Sequence, residues 1–227
     1  MVLFFGLTLE MSVARIPQAA AREVKRVTYA VKPKPKANVK LAVAMHRQEH
    51  ALSCEAAALL MALRYRGVPV TETQLIQGMG FDPTPKRRGV WGDPQLAFVG
   101  DINGRQPSTG YGVYWEPIAR VAAKYRRAEA ATGKPMAELA GTLAQGNPVV
   151  VWGFVGSGQR IDWKTPHGAA VKAVMGEHAR VAIGFSGPAN VPTGFYLMDP
   201  IYGEIYMTRS QFDRNWSALD RGMVTIY

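Results

Sequence analysis

Cysteine is almost absent from this 227-residue chain, which has only Cys54. A single thiol excludes an internal disulfide framework and a cysteine-built zinc site, and it leaves the redox compartment unreadable from cysteine usage. Histidine is nearly as scarce, with His46, His50, His167 and His178. His46 and His50 do not form the His-Glu-x-x-His helix of a metalloprotease and read as a polar pair ahead of a helix. No metal or organic cofactor is expected. Acidic residues are also few, 17 against 27 lysines and arginines, giving a formal charge of +10. That excess is local. Residues 1–40 hold eight basic side chains against Glu10 and Glu23, which leaves about +4 for the rest. A body so weakly basic, without interleaved aromatics or a known motif, argues against nucleic acid as a partner. No uninterrupted apolar run approaches the roughly 20 residues that span a bilayer.

Residues 1–21 contain a short apolar run, Val2 to Leu9, and a small-residue stretch at Ala19, Ala20 and Ala21. The positive start of a secretory signal is missing, so the segment reads as a signal or anchor remnant, with a plain N-terminal arm as the alternative. Any cell-surface or membrane association would run through this end, and the expected location is extracytoplasmic. The Lys-Pro-Lys-Pro-Lys run at residues 32–36 favours extended backbone and repels itself, which marks a linker. The expected organisation is therefore a tail and linker over residues 1–40 and one folded domain over residues 41–227.

Helical spacing of Ala56, Ala57, Leu59, Leu60 and Leu63 predicts a helix from Cys54 to Arg66, with Ser53 as N-cap and Gly67 as the stop. Thr71 and Gln74 resemble a capping box opening a second helix. Pro117 should begin a third, running to Tyr125, and residues 136–144 a fourth. Beyond Pro148 the chain changes to buried-strand character at residues 149–154, 178–185, 195–199, 204–208 and 223–227, with Ser210 capping a short helix before the last. Helices first and mostly antiparallel strands second predict an α+β fold, a helical half packed on a sheet half.

A thiol attacks a carbonyl only as thiolate, and the N-terminus of a helix stabilises that anion. Cys54 occupies such a position, so its pKa is expected to be depressed and its alkylation fast below pH 7. His178 opens a strand in which Ala179, Val181, Ile183 and Phe185 take one face and His178 and Ala182 the other. Asp199 closes the strand that follows. Antiparallel pairing around the turn at residues 186–192 brings the two to one end of the sheet, where a carboxylate can hold an imidazole. Gln48, six residues before the thiol, could offer its amide to an oxyanion. Each feature has an ordinary reading alone: a small buried thiol, a satisfied histidine, an Asp-Pro turn and a solvated glutamine.

The order Gln48, Cys54, His178, Asp199 resembles the papain-like cysteine peptidases. Residues 48–67 (QEHALSCEAAALLMALRYRG), 92–100 (GDPQLAFVG), 111–118 (YGVYWEPI), 146–152 (GNPVVVW) and 177–184 (EHARVAIG), with Asp199-Pro200, are similar to the bacteriocin-processing, double-glycine leader peptidases, in their stand-alone extracytoplasmic branch. The resemblance spans residues 41–227. It implies a papain-like fold with Gln48 as oxyanion donor, Cys54 as nucleophile, His178 as general base and Asp199 as orienting acid. Ser53 departs from the pattern, where glycine is more usual. Asp93 and Tyr111 fall in the shared stretches without an evident chemical step, and residues 156–176 form a long polar segment that could shape substrate entry or be an unstructured insertion.

The expected function is hydrolysis of a peptide bond in a peptide or protein substrate through an acyl-thioester. Alternatives are a cell-wall peptide amidase, an acyl transferase, or a non-catalytic peptide-binding module on the same scaffold.

Overall fold

The computed structural model describes residues 36–227. The apolar run, the alanine stretch at residues 19–21 and the linker up to Pro35 lie outside the described residues. In chain order the elements are β1 (Val39–Lys40), α1 (Cys54–Tyr65), α2 (Glu72–Met79), β2 (Phe81–Asp82), β3 (Phe98–Val99) and α3 (Trp115–Ala123). They continue with β4 (Ala128–Ala131), α4 (Met136–Ala144), β5 (Val149–Phe154), β6 (Trp163–Lys164) and β7 (Ala170–Val171). The last are β8 (Glu177–Ser186), β9 (Gly194–Asp199), β10 (Gly203–Thr208), α5 (Arg209–Ser217) and β11 (Met223–Ile226).

Helix α1 is buried on every side from Cys54 to Leu63, as expected of a helix that is apolar all round. Leu59, Leu60 and Leu63 are fully enclosed, each such burial worth about 1.5–3 kcal/mol. Gly67 ends the helix at φ +76°. Its N–H bonds to Arg64 and that of Val68 to Leu63, the paired bonds of a Schellman stop.

The main sheet runs β10-β9-β8-β5-β11-β4 with antiparallel neighbours, and β1 takes over the edge of β8 where β5 ends. Helix α1 packs on one face of it with Ala179, Val181 and Ile183, while Phe212 and Trp216 of α5 pack on the other. The architecture is α+β, as the order of helical and strand patterns implies.

The differences from the sequence reading are local. Phe185 joins the α5 side with Ala182, because a register shift between Ala182 and Gly184 reverses the alternation there. Helix α3 starts at Trp115, with Pro117 inside the first turn, where a missing N–H loses no intrahelical bond. Helix α5 is capped by Thr208 in a capping box with Gln211, and Ser210 is already helical. Strand β4, an alanine-rich edge, carries too little pattern to be read from sequence. Residues 156–176 are ordered, with β6 and β7 paired and Trp163 buried against Trp91 and Tyr111.

Candidate active site

Cys54 is the first residue of α1, and Ser53 stands at the N-cap. The Ser53 hydroxyl does not cap the helix. It accepts from His50 N at 3.0 Å, tying down the preceding turn. The Cys54 thiol is 4% exposed and receives the Ala179 N–H at 3.4 Å, so it lies against the peptide link between His178 and Ala179. On its other side it donates to Glu55 Oε2 at 3.4 Å. Burial, then the nearby Glu55 and Glu177 carboxyls, push the thiol pKa well up, and the Ala179 N–H offsets only part of this. The depressed thiol expected from helix position is thus overturned. A helix terminus contributes a partial charge, whereas full burial beside two carboxyls opposes the anion from three directions.

β8 extends beyond its last pair with β9, Val181↔Met198, and Asp199 turns into the space left beside residues 177–180. His178 Nε2 meets Asp199 Oδ2 at 3.0 Å, and both residues are buried. Arg180, two residues along on the same face, donates Nε to that oxygen at 2.7 Å. Asp199 Oδ1 accepts from the Ile201 and Tyr202 N–H groups at 2.8 and 3.1 Å. Burial raises the Asp199 pKa, but the His178 bond, the His178 and Arg180 charges and the Ile201 N–H outweigh it and hold the group well below the usual carboxylate range. An ionised carboxylate only accepts, so His178 Nε2 carries its proton and Nδ1 offers a lone pair. Burial, together with the Arg180 charge, lowers the His178 pKa despite the Asp199 bond. The resting site therefore pairs a neutral thiol with a neutral imidazole.

Gln48 is anchored near this end of the sheet by its N–H, which donates to Pro200 O at 3.1 Å. Its side-chain Nε2 donates to His50 O and Ala51 O at 2.8 and 2.9 Å. Both amide hydrogens are thus engaged within the approach loop rather than aimed at the thiol. Among the described residues no hydrogen bond joins Cys54 Sγ to the His178 ring or to Gln48. The structure brings His178 and Asp199 into contact, sets Cys54 against the neighbouring peptide, and leaves Gln48 turned back on its own loop.

Residues 101–110 pack against the loop before α1 and the start of β8. Ile102 O accepts from Leu52 N at 2.9 Å, Asn103 Oδ1 meets His50 Nδ1 at 3.0 Å, and Gln106 Nε2 donates to Glu177 O at 3.1 Å. A cavity of about 260 Å³ opens elsewhere, lined by Asp93, Tyr114 and Trp115 and by Thr165 and residues 169–172 of the long polar segment. Neither Cys54, His178 nor Asp199 lines it.

Among the described residues, two groups of ligating side chains have atoms within 4.8 Å of one another, His46/Glu49/Glu72 and Cys54/Glu55/Glu177. Residues 46–50 read His-Arg-Gln-Glu-His, the reversed zinc motif, but the segment is not helical. His46 bonds Glu72 at 2.8 Å while His50 faces Asn103, so the two imidazoles do not converge. Sequence reasoning missed Arg180, Glu55 and Glu177. The signal was present, as charges set inside apolar runs, at i+2 from His178 and directly beside Cys54 and His178.

The sequence profile of the Peptidase_C39-like family matches residues 40–224. The chain belongs to that family. An uncharacterized protein, YvpB of Bacillus subtilis (strain 168), is 29% identical over 250 residues, covering 99% of this chain and 93% of its own. The crystal structure of a candidate C39-like peptidase from Bacillus anthracis superposes with a TM-score of 0.72 at 26% identity, covering 85% of this chain and 98% of the other. A double-glycine motif protease from the AMS/PCAT transporter, crystallised with its leader peptide, gives a TM-score of 0.47 at 19% identity, covering 83% and 93%. The α+β fold of this chain is that of the C39-like peptidases.

Proposed function

We propose that this C39-like protein is a cysteine peptidase in which Cys54 is the nucleophile, His178 the general base and Asp199 the residue that orients the imidazole. The observation that carries this reading is the placement of the chain's only thiol against the His178–Ala179 peptide, while His178 itself is held by an ionised Asp199. In the proposed reaction, His178 Nδ1 takes the thiol proton as sulfur attacks the carbonyl carbon. The oxyanion is stabilised by the Cys54 backbone N–H at the start of α1, which has no intrahelical acceptor. The proton then passes from His178 to the leaving amine, and the C–N bond breaks to leave a thioester. Water, deprotonated by the same imidazole, releases the acid and restores the thiol. Because both partners rest neutral, proton transfer accompanies attack instead of preceding it.

Gln48 joins the oxyanion site in this scheme by releasing one of its loop carbonyls when substrate displaces the approach loop. A substitution Gln48→Ala is then expected to lower kcat by roughly 10²-fold. The substrate class is a peptide or protein, and placement outside the cytoplasm rests on residues 1–40 alone. Incubation of the protein with a peptide library, with and without an added amine, tests the reaction class by mass spectrometry. Carboxylic acid products in both cases support hydrolysis, and amide products with the amine would assign transfer. Absence of any cleavage would return the fold to a peptide-binding role.

A further inference from the structure

Glu55 follows Cys54 on α1, and Glu177 precedes His178 on β8. Both are buried, at 0% and 3% exposure. One carboxyl oxygen from each and the Cys54 sulfur lie within 4.8 Å of one another. Glu55 Oε1 accepts the Val113 N–H at 2.7 Å and Glu55 Oε2 the thiol at 3.4 Å. Glu177 Oε2 receives only a long bond from Gln106 Nε2 at 3.4 Å, and Glu177 Oε1, fully enclosed, has no partner among the described residues. Gly112 closes the cluster from the third side, where an added Cβ would collide with an oxygen of each acid.

We infer that Glu55 and Glu177 are positioning residues, a carboxyl pair that retains a proton and so holds the neighbours of Cys54 and His178 together across the α1–β8 contact. The inference rests on the nucleophile and base assigned above. Two buried carboxylates this close, with no cation among the described residues bonded to either, cannot both ionise. A proton on one leaves a single negative charge where two anions would repel, and it eases the enclosure of Glu177 Oε1, which accepts from no donor among the described residues. Burial accordingly raises both acids above the ordinary range.

The groups facing the pair are few. Cys54 faces it from α1, Tyr111 and Tyr114 from the segment leading into α3, and the neutral Gln106 amide from the 101–110 loop. Arg180 acts on Glu177 through its charge but spends its Nε on Asp199. None of the others supplies a positive charge. When the pair loses its proton in alkali, repulsion between the two anions separates α1 from β8, and the thiol loses its place beside His178.

The test follows kcat for peptide cleavage and the alkylation of Cys54 by iodoacetamide across pH. Wild type is expected to lose kcat reversibly in alkali, and its thiol to alkylate with a midpoint above that of a free cysteine. In Glu177→Gln an amide donor replaces the proton and one negative charge is gone. That variant should lose the alkaline fall in kcat and alkylate roughly tenfold faster at pH 8, whereas Glu177→Ala should lose kcat at every pH. Identical alkaline limbs and alkylation profiles in wild type and Glu177→Gln would overturn the inference. So would stoichiometric zinc in the purified protein together with loss of the cluster's effect on chelation, since a cation would then be doing the proton's work. Infrared spectra of the wild type keep the test open should the variants not fold. A protonated, buried carboxyl band at neutral pH that vanishes in alkali supports the pair, and its absence at neutral pH refutes it. Cleavage that survives Cys54→Ser would instead remove the nucleophile assignment.

Discussion

On one face of β8, His178 and Arg180 surround the Asp199 carboxylate with donors and charge, while on the other Glu177 meets Glu55 and a thiol, with no cation among the described residues bonded to either acid. The carboxyls on both faces are buried, yet they are driven in opposite directions, Asp199 down and the two glutamates up. Burial alone therefore does not decide protonation in this site. What decides it is whether a matched cation shares the space, and alternation along one strand suffices to give neighbouring residues opposite answers.

The largest effect is expected from breaking the matched face. Asp199→Asn keeps one acceptor oxygen where four donors now converge, and it leaves Arg180 buried without its carboxylate. Urea unfolding should show a loss of about 3–5 kcal/mol, close to that of Asp199→Ala. The double variant Asp199→Asn with Arg180→Met should recover part of that stability, because it removes the stranded charge. Additive losses would show that the two residues do not depend on each other.

The opposite face can be broken sterically. Gly112→Ala would drive a methyl into both carboxyls at φ +155°, and a loss of about 1–3 kcal/mol is expected by thermal unfolding. A neutral result would mean that the acids are free to move apart.

Stability measured against pH sharpens the contrast without mutation. The Asp199 pKa is lower in the folded state than in the unfolded chain, so its contribution is present above the ordinary carboxylate range and is lost as pH falls through the folded value. His178, also lowered, acts in the same sense below its unfolded pKa. The glutamates are raised, so the contribution of their bound proton is present in acid and is lost as pH rises from the ordinary carboxylate range through their folded values. Urea midpoints should therefore fall toward both extremes, and Glu177→Gln should flatten the alkaline slope alone.

Capping offers the smallest effect, at the far end of α5 from its contact with Arg180. Thr208→Ala removes the capping box of α5, at a cost of about 1 kcal/mol. The kcat should be unchanged. A drop in kcat would show that α5 reaches the site beyond its Asn215 bond to Arg180.

Much of this was legible in the sequence where periodicity or capping chemistry is strong. Apolar spacing placed α1, Thr71 with Gln74 marked α2, and the strands containing His178 and Asp199 were read with their shared end. The Thr208–Gln211 box carries the same signature as Thr71–Gln74, although Ser210 also has the residue type of a cap. The bulge that turns Phe185 leaves no trace in alternation, because the residues remain apolar on either side of it. The helix terminus that favours a thiolate is visible in sequence, whereas the convergence of Glu55 and Glu177 on the thiol, which opposes it, comes from a contact between residues 122 positions apart. The backbone of Gln48 bonds to Pro200, and its amide geometry depends on two loop carbonyls that only the folded turn supplies.

The central claim is that Cys54, served by His178, carries the acyl group. Rapid quenching of the protein during cleavage of a peptide ester, followed by peptide mapping, tests it most directly. An acyl mass on Cys54 in the wild type, absent from Cys54→Ser and strongly reduced in His178→Ala, is the predicted result. Product formation that persists in Cys54→Ser, with no acyl adduct on the wild-type thiol, would contradict it.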